Sequence, residues 1–222
     1  MRTIRFFSFL IPLAIGLGAA TIPAGAAAPA FGIKGGLSVA TLHGSLPTDA
    51  LVRNGAKLGF AAGAWLAIPV GPRLSVQPEF NYVQKGTSLG SVDVTDGGGT
   101  VIGTVDVFES VDYLEVPVLL RVSFPGGGVI SPYLVGGPVM GFRMKQQLKV
   151  SGFIDIGTDI DLFKSTDFGA ALGAGLELGR GRFRGTFETR YTLGLTSAAE
   201  DFYSSDAKNG ALMATMGLCI RR

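Results

Sequence analysis

The stretch Arg182-Phe183-Arg184-Gly185-Thr186-Phe187-Glu188-Thr189-Arg190-Tyr191-Thr192-Leu193 decides the fold. Arg182, Arg184, Thr186, Glu188, Arg190 and Thr192 share one parity, and Phe183, Gly185, Phe187, Thr189, Tyr191 and Leu193 share the other. Successive side chains of an extended chain point to opposite faces, whereas a helix would scatter both sets around its circumference. The segment reads as a strand with one charged and one apolar face.

The same period of two recurs along the chain. In 73–83, Leu74, Val76, Pro78, Phe80 and Tyr82 oppose Arg73, Ser75, Gln77, Glu79 and Asn81. In 111–124, Leu114 to Phe124 on the even positions oppose Tyr113, Glu115, Pro117, Arg121 and Ser123. In 166–178, Phe168, Leu172, Leu176 and Leu178 oppose Asp167, Gly173, Gly175 and Glu177, and in 208–220 Leu212, Met216, Leu218 and Ile220 oppose Asn209, Met213, Thr215 and Gly217. Residues 31–41 and 56–69 repeat the pattern more faintly, and 130–145 is apolar on both parities, a strand without assigned faces. The count of strands is eight.

Between them, short and long connections alternate. Val70-Gly71-Pro72, 124–129 and Gly179-Arg180-Gly181 are tight turns rich in Gly and Pro. Segments 42–55, 86–109, 146–165 and 196–207 read as long polar loops, all at one end of an up-and-down meander. Short turns at one end and long loops at the other are the pattern of outer-membrane barrels, with the long loops extracellular and the termini and short turns periplasmic. The predicted fold is therefore all-β: an eight-stranded antiparallel up-and-down transmembrane β-barrel.

Alternation alone does not separate a membrane barrel from a soluble ligand-binding one, since the two are inside-out versions of each other. Composition does. Water-facing surfaces carry about a quarter to a third charged residues, whereas the polar parity here holds one or two charges per strand amid Gly, Ala, Ser and Thr. Small residues suit the crowded interior of an eight-stranded barrel. The predicted lumen charges are Lys34, Arg73, Glu79, Glu115, Arg121, Glu177, Arg182, Arg184, Glu188 and Arg190. Six basic and four acidic groups in a narrow centre should pair, because an unpaired buried charge is costly. Aromatics on the apolar parity gather near strand ends, with Phe60, Tyr82, Phe168 and Tyr191 toward the long loops and Phe31, Phe124 and Phe183 toward the short turns. Two such girdles suit the two interfaces of a bilayer.

Composition agrees. Of 222 residues, 47% are hydrophobic, only 16% charged, and 34 are Gly. An ordinary soluble domain has about a quarter charged residues and about half that share of Gly. Disorder requires low hydrophobicity and high net charge, and collagen a strict glycine period; neither is present. Residues 1–26 read as a signal peptide, with Arg2 and Arg5 before an apolar stretch from Phe6 to Ala20 and a small-residue cleavage site at Ala24-Gly25-Ala26. Cuts after Ala28 or Ala30 are equally permitted, so the barrel domain, 27–222, begins between 27 and 31. Losing Arg2 and Arg5 takes the 19 Lys and Arg to 17, equal to the 17 Asp and Glu. A neutral mature chain gives no reason to expect a nucleic-acid partner. Cys219 is the single cysteine, cannot form an internal disulfide and reads as a buried apolar residue.

Three segments carry a family likeness: Phe31-Gly32-Ile33-Lys34-Gly35-Gly36-Leu37-Ser38, Tyr113-Leu114-Glu115-Val116-Pro117-Val118-Leu119-Leu120 and Pro132-Tyr133-Leu134-Val135-Gly136-Gly137-Pro138. They resemble the PorT-like outer membrane protein β-barrel domain family, often called porin family proteins. The resemblance covers essentially the whole mature chain and implies an eight-stranded barrel in a diderm bacterial outer membrane. It implies little activity, since the family shares no catalytic motif. The chain ends Ile220-Arg221-Arg222, where many outer-membrane barrels end in an aromatic residue read by the assembly machinery.

Candidate chemistry is sparse. The single histidine, His43, stands in the first long loop with Ser45 and Asp49 nearby, as a lipid A-modifying barrel enzyme would need, but a rim histidine among hydroxyls is ordinarily a solvated loop residue. Asp155, Asp159 and Asp161 match no calcium-loop spacing. Gly97-Gly98-Gly99, after Asp93 and Asp96, lacks the Lys and following helix of a phosphate cradle and reads as a flexible loop tip. The expectation is a non-enzymatic, monomeric barrel without metal or cofactor. Its partners are outer-membrane lipid, the barrel assembly machinery and an extracellular ligand or envelope protein. The alternatives are a narrow solute or ion channel, a lipid A-modifying enzyme, and a soluble periplasmic ligand-binding barrel.

Overall fold

The computed structural model describes residues 29–43, 55–124, 128–151, 166–195 and 208–221. They form eight strands: β1 (Ala30–His43), β2 (Gly55–Pro69), β3 (Leu74–Thr95), β4 (Val101–Ser123), β5 (Ile130–Ser151), β6 (Thr166–Leu178), β7 (Phe183–Gly194) and β8 (Lys208–Arg221). Each strand pairs with its sequence neighbours, and β1 pairs antiparallel with β8, closing the barrel in the order β1 to β8. An even strand number brings the first and last strands together at the short-turn end, where Ala30 lies opposite Arg221. Closure removes every sheet edge, and so every row of unpaired backbone groups, from the barrel wall.

The greasy parity faces outward. Leu172 and Phe183 are each 72% exposed and Met216 69%, while Glu79, Glu115, Glu177, Arg121 and Arg190 are buried inside. A soluble barrel would have the reverse arrangement, and the two faces of β6, β7 and β8 alternate residue by residue as the sequence predicts. Along β7 the outward apolar positions run from Phe183 to Leu193. Ten residues at ~3.3 Å, tilted by ~40°, span roughly 25 Å, the height of an outer-membrane apolar band. β5, apolar on both parities in sequence, is now assigned: Tyr133, Val135 and Val139 point inward, and Ile130, Leu134 and Met140 point outward.

Inward glycines make room for the few large lumen side chains. A Cβ on Gly32 would collide with the Trp65 indole directly across the β1–β2 pair, and one on Gly175 would collide with the Tyr133 ring. The small-residue content of the polar parity is thus a packing requirement of a narrow barrel.

The short turns at 70–73 and 179–182 are built as expected, while residues 125–127 of the third lie outside the described residues. Val70 and Gly71 both donate their N–H to the Leu74 carbonyl, at 2.9 and 3.1 Å. In the β6–β7 turn Gly179 and Gly181 take φ of 125° and 89°, left-handed values that favour glycine. The long-loop end departs from expectation. Segment 86–109 is no loop: β3 and β4 pair up to Thr95 opposite Val101, with register shifts near Ser88 and Val94. β5 likewise continues to Ser151, paired with β4 at Asp106. Valine alternation across 92–107 gives this polar stretch enough β preference to extend the hairpin, and a partner strand satisfies its backbone. The tip at Gly97-Gly98-Gly99 is an ordered turn, since Asp96 Oδ1 accepts the N–H groups of Gly98 and Thr100, both at 2.9 Å, and Gly99 has φ of 84°. Residues 1–26, Ser45, Asp49, Asp155, Asp159, Asp161 and segment 196–207 lie outside the described residues.

Candidate functional site

The lumen is the place where this sequence concentrates charge, and its side chains form three tiers along the barrel axis. Nearest the short turns, Glu177 on β6 sits among three arginines. Arg121 of β4 reaches its Oε1 at 2.5 Å, Arg184 of β7 its Oε2 at 3.2 Å, and Arg221 of β8 both oxygens at 2.9 and 3.0 Å. The Arg121 guanidinium also stacks over Tyr133, 3.7 Å from its centroid, and lies 5.3 Å from Trp65, so the cation is held by rings as well as by charge. Cys219 is buried beside Trp65, Ala30 and Ala67, as an apolar residue would be.

The middle tier is the most densely bonded. Arg190 of β7 grips Glu79 of β3 through two parallel bonds of 2.7 and 2.8 Å, a bidentate geometry that suits guanidinium and carboxylate, and it donates to Glu188 at 2.6 Å. Lys34 of β1 bridges the same two carboxylates at 2.8 and 3.2 Å. Gln77 and Asn81 donate to Glu79 at 2.7 and 2.8 Å, and Tyr133 donates to Glu188 at 3.1 Å. Two cations face two anions, and residues from five strands (β1, β3, β5, β7 and, through the Thr215 hydroxyl donating to the Glu188 carbonyl, β8) are tied across the centre. Gln77 Oε1 accepts from Arg121 at 3.2 Å and so links this tier to the one below.

Toward the long-loop end, Lys85 pairs with Glu115 at 2.6 Å and lies 5.0 Å from the Tyr113 ring centroid. Glu115, Asp167 and Thr192 each hold one buried oxygen without a protein partner, and all three line a cavity of about 20 Å³. That is room for a water molecule or two. A second cavity, of about 10 Å³, adjoins Lys34, Asn81 and Glu188.

Of the ten predicted lumen charges, Lys34, Glu79, Glu115, Arg121, Glu177, Arg184, Glu188 and Arg190 stand in these tiers. Arg73 and Arg182 do not, and the prediction is corrected there. Each precedes the first residue of its strand, in a tight turn, so its side chain stays exposed at the barrel mouth while its carbonyl accepts a bond from Ser123 or Arg221. Sequence reading missed Lys85 and Arg221 as pairing partners. Lys85 continues the parity of Asn81 and Val83 beyond the 73–83 segment, and Arg221 continues the inward parity of Cys219. Tyr113, on the polar parity of 111–124, stands in the lumen as that parity predicts, and Trp65 and Tyr133 join it there without having been predicted. The girdle aromatics Phe31, Phe60, Phe124, Phe168, Phe183 and Tyr191 are exposed on the outer face. Tyr82 is half-buried, its hydroxyl accepting from Gln84 at 3.2 Å. His43 ends β1 opposite Lys208.

Among solved structures, the chain is similar to the outer membrane protein OprG from Pseudomonas aeruginosa, at 12% identity over 91% of this chain and 99% of that one, with a TM-score of 0.51. Neisserial surface protein A is similar at 13% identity over 87% and 99%, TM-score 0.49, and the outer membrane protein AlkL at 16% over 90% and 93%, TM-score 0.42. At such identities the likeness is one of fold. No curated protein matches the chain. Residues 27–200 match the family described as "Outer membrane protein beta-barrel domain", and the chain, a closed barrel with charge inside and hydrocarbon outside, belongs to that family.

Proposed function

We propose that this chain is a plugged, non-catalytic, monomeric anchor in the outer membrane. It presents an extended sheet on the cell exterior, where that sheet binds an extracellular ligand or an envelope protein. Within its family we place it with the PorT-like members, on the Tyr113–Leu120 segment. Residues 1–26 serve as the export signal, and the barrel assembly machinery inserts the mature chain.

The observation that carries this reading is strand length. A barrel strand needs about 9–11 residues to span a bilayer, yet β3, β4 and β5 run 22, 23 and 22 residues. Past Tyr82, at the upper edge of the apolar band, β3 continues to Thr95; thirteen residues at ~3.3 Å extend roughly 40 Å along the strand. The β3–β4 and β4–β5 ladders persist through this extension, so it is a sheet with its own backbone pairing. The lumen favours a plug over a conduit, because Arg190, Lys34, Glu79 and Glu188 cross its centre.

Two measurements test the reading together. Purified protein in planar bilayers should give no conductance above the lipid background. A cysteine at Gly98 should react with a membrane-impermeant maleimide on intact cells, while one at Gly181 should react only after the envelope is permeabilised. Stepwise conductance would restore the channel alternative, and reversed labelling would put the extended sheet on the periplasmic side.

A further inference from the structure

The short-turn end of the barrel carries an excess of positive charge. Arg73, Arg180 and Arg182 are exposed in its turns, and no described carboxylate pairs with any of them. Arg184 and Arg221, only partly covered, already crowd the single acid of that end, Glu177, together with Arg121. Among the described residues this rim therefore holds six arginines against one glutamate, whereas the opposite end mixes Lys85 and Arg143 with Asp112, Glu115 and Asp167.

These arginines lie at the border of the apolar band. Arg182 precedes Phe183, which is 72% exposed, Arg221 follows Ile220, and Arg73 precedes Leu74. The Arg221 N–H donates to the Arg182 carbonyl at 2.8 Å, and Ile220 pairs in register with both Phe183 and Phe31. One continuous outer surface over β7, β8 and β1 thus places the Arg180–Arg182 turn immediately below a patch of Phe31, Phe183 and Ile220, whereas Arg73, in the β2–β3 turn, stands on the other side of the ring. Successive Cα atoms are ~3.8 Å apart, so charge and hydrocarbon contact meet within one residue's reach.

We propose that this part of the rim is a binding surface for anionic glycerophospholipid, the Arg180–Arg182 turn taking the headgroup phosphate while Phe31, Phe183 and Ile220 take the acyl chains. A soluble polyanion would satisfy the arginines and leave the apolar patch bare; a zwitterionic lipid would cover the patch and leave the arginines without a net countercharge. A lipid with a net negative headgroup satisfies both. Guanidinium is suited to phosphate because its planar fork of donors matches two oxygens at once.

The test uses the full chain refolded in detergent micelles and titrated with dihexanoyl phosphatidylglycerol or dihexanoyl phosphatidylcholine, bound lipid being counted by native mass spectrometry. The expected result is at least tenfold tighter retention of phosphatidylglycerol. The preference should fall by about fivefold for each arginine lost at an anionic lipid site, so that R180Q/R182Q binds both lipids alike. Heat-modifiable gel mobility reports that the variants remain folded, and R180Q alone serves if the double variant fails to refold. Equal retention of the two lipids by the unaltered protein would overturn the proposal, as would an undiminished preference in the variants. Displacement by glycerol 3-phosphate at matched concentration would also overturn it, since a tail-less phosphate cannot use the apolar patch.

Discussion

Replacing Glu79 with Met removes the acceptor on which the middle of the lumen converges. Arg190 loses two bonds, Lys34 one, and Gln77 and Asn81 one each. Glu188 is then left facing two cations in a site from which water is largely excluded. Breaking a buried ion pair from one side costs about 3–5 kcal/mol, because the remaining charge is left uncompensated. With a urea slope of about 2 kcal/mol per molar, the unfolding midpoint in lipid vesicles should fall by roughly 2 M. Lys34→Met should also destabilise, leaving Arg190 to balance two carboxylates alone. In the double variant K34M/E79M, however, Arg190 and Glu188 remain as a one-to-one pair at 2.6 Å. The double variant should therefore recover at least about 2 kcal/mol relative to the sum of the singles, a coupling of the size found between directly contacting groups. Tryptophan fluorescence and gel mobility would follow the transition. Additive losses, or an E79M shift below about 1 kcal/mol, would show that the lumen charges are solvated and that the lumen network is not held together by pairing.

Three further outcomes are expected. Met216→Arg, on the lipid face midway along β8, should cost about 2–4 kcal/mol in vesicle unfolding, while the same change in a water-facing position would be near neutral. Gly175→Val should destabilise by about 1–3 kcal/mol through overlap with Tyr133, and Y133A should relieve part of that cost in the double variant. Asp96→Ala should leave the barrel's unfolding midpoint unchanged yet speed amide exchange at Gly98 and Thr100, whose N–H groups it accepts.

The barrel was legible because period-two alternation is a direct consequence of strand geometry, and in Arg182–Leu193 it ran without a break. Which face meets lipid was legible from how few charges the polar parity held. The pairing pattern was not. Glu79 joins Arg190 across 111 positions of sequence, and such partners are set by barrel stagger, which no local pattern encodes. The extended hairpin was missed for a different reason. Residues 86–109 are rich in Gly, Ser, Thr and Asp, and their valine alternation comes only in short runs at Val92–Val94 and Val105–Val107. Beyond the bilayer a strand needs a partner and β-branched residues but no long greasy face. A reading that equates strand with apolar alternation ends each strand at the membrane surface. Arg73 and Arg182 were misplaced by the opposite error, a parity carried one residue past the point where the strand begins.

The two ends of this molecule answer different surroundings, and the difference follows from a single constraint. Every strand must cross the same band of about 25 Å, so the outer face of β7 and that of β3 are alike where they meet hydrocarbon and free to diverge elsewhere. At the short-turn end the chain leaves the band and reverses at once, as in Val70–Arg73 and Gly179–Arg182, and the residues spent there are arginines and glycines. At the other end β3, β4 and β5 keep their ladder well past the band. Ordering a residue's backbone costs about 1–2 kcal/mol, a cost the cross-strand ladder of this extension offsets beyond the reach of the bilayer. The part of the chain that the bilayer does not require is therefore the part in which a specific task outside the membrane is to be sought.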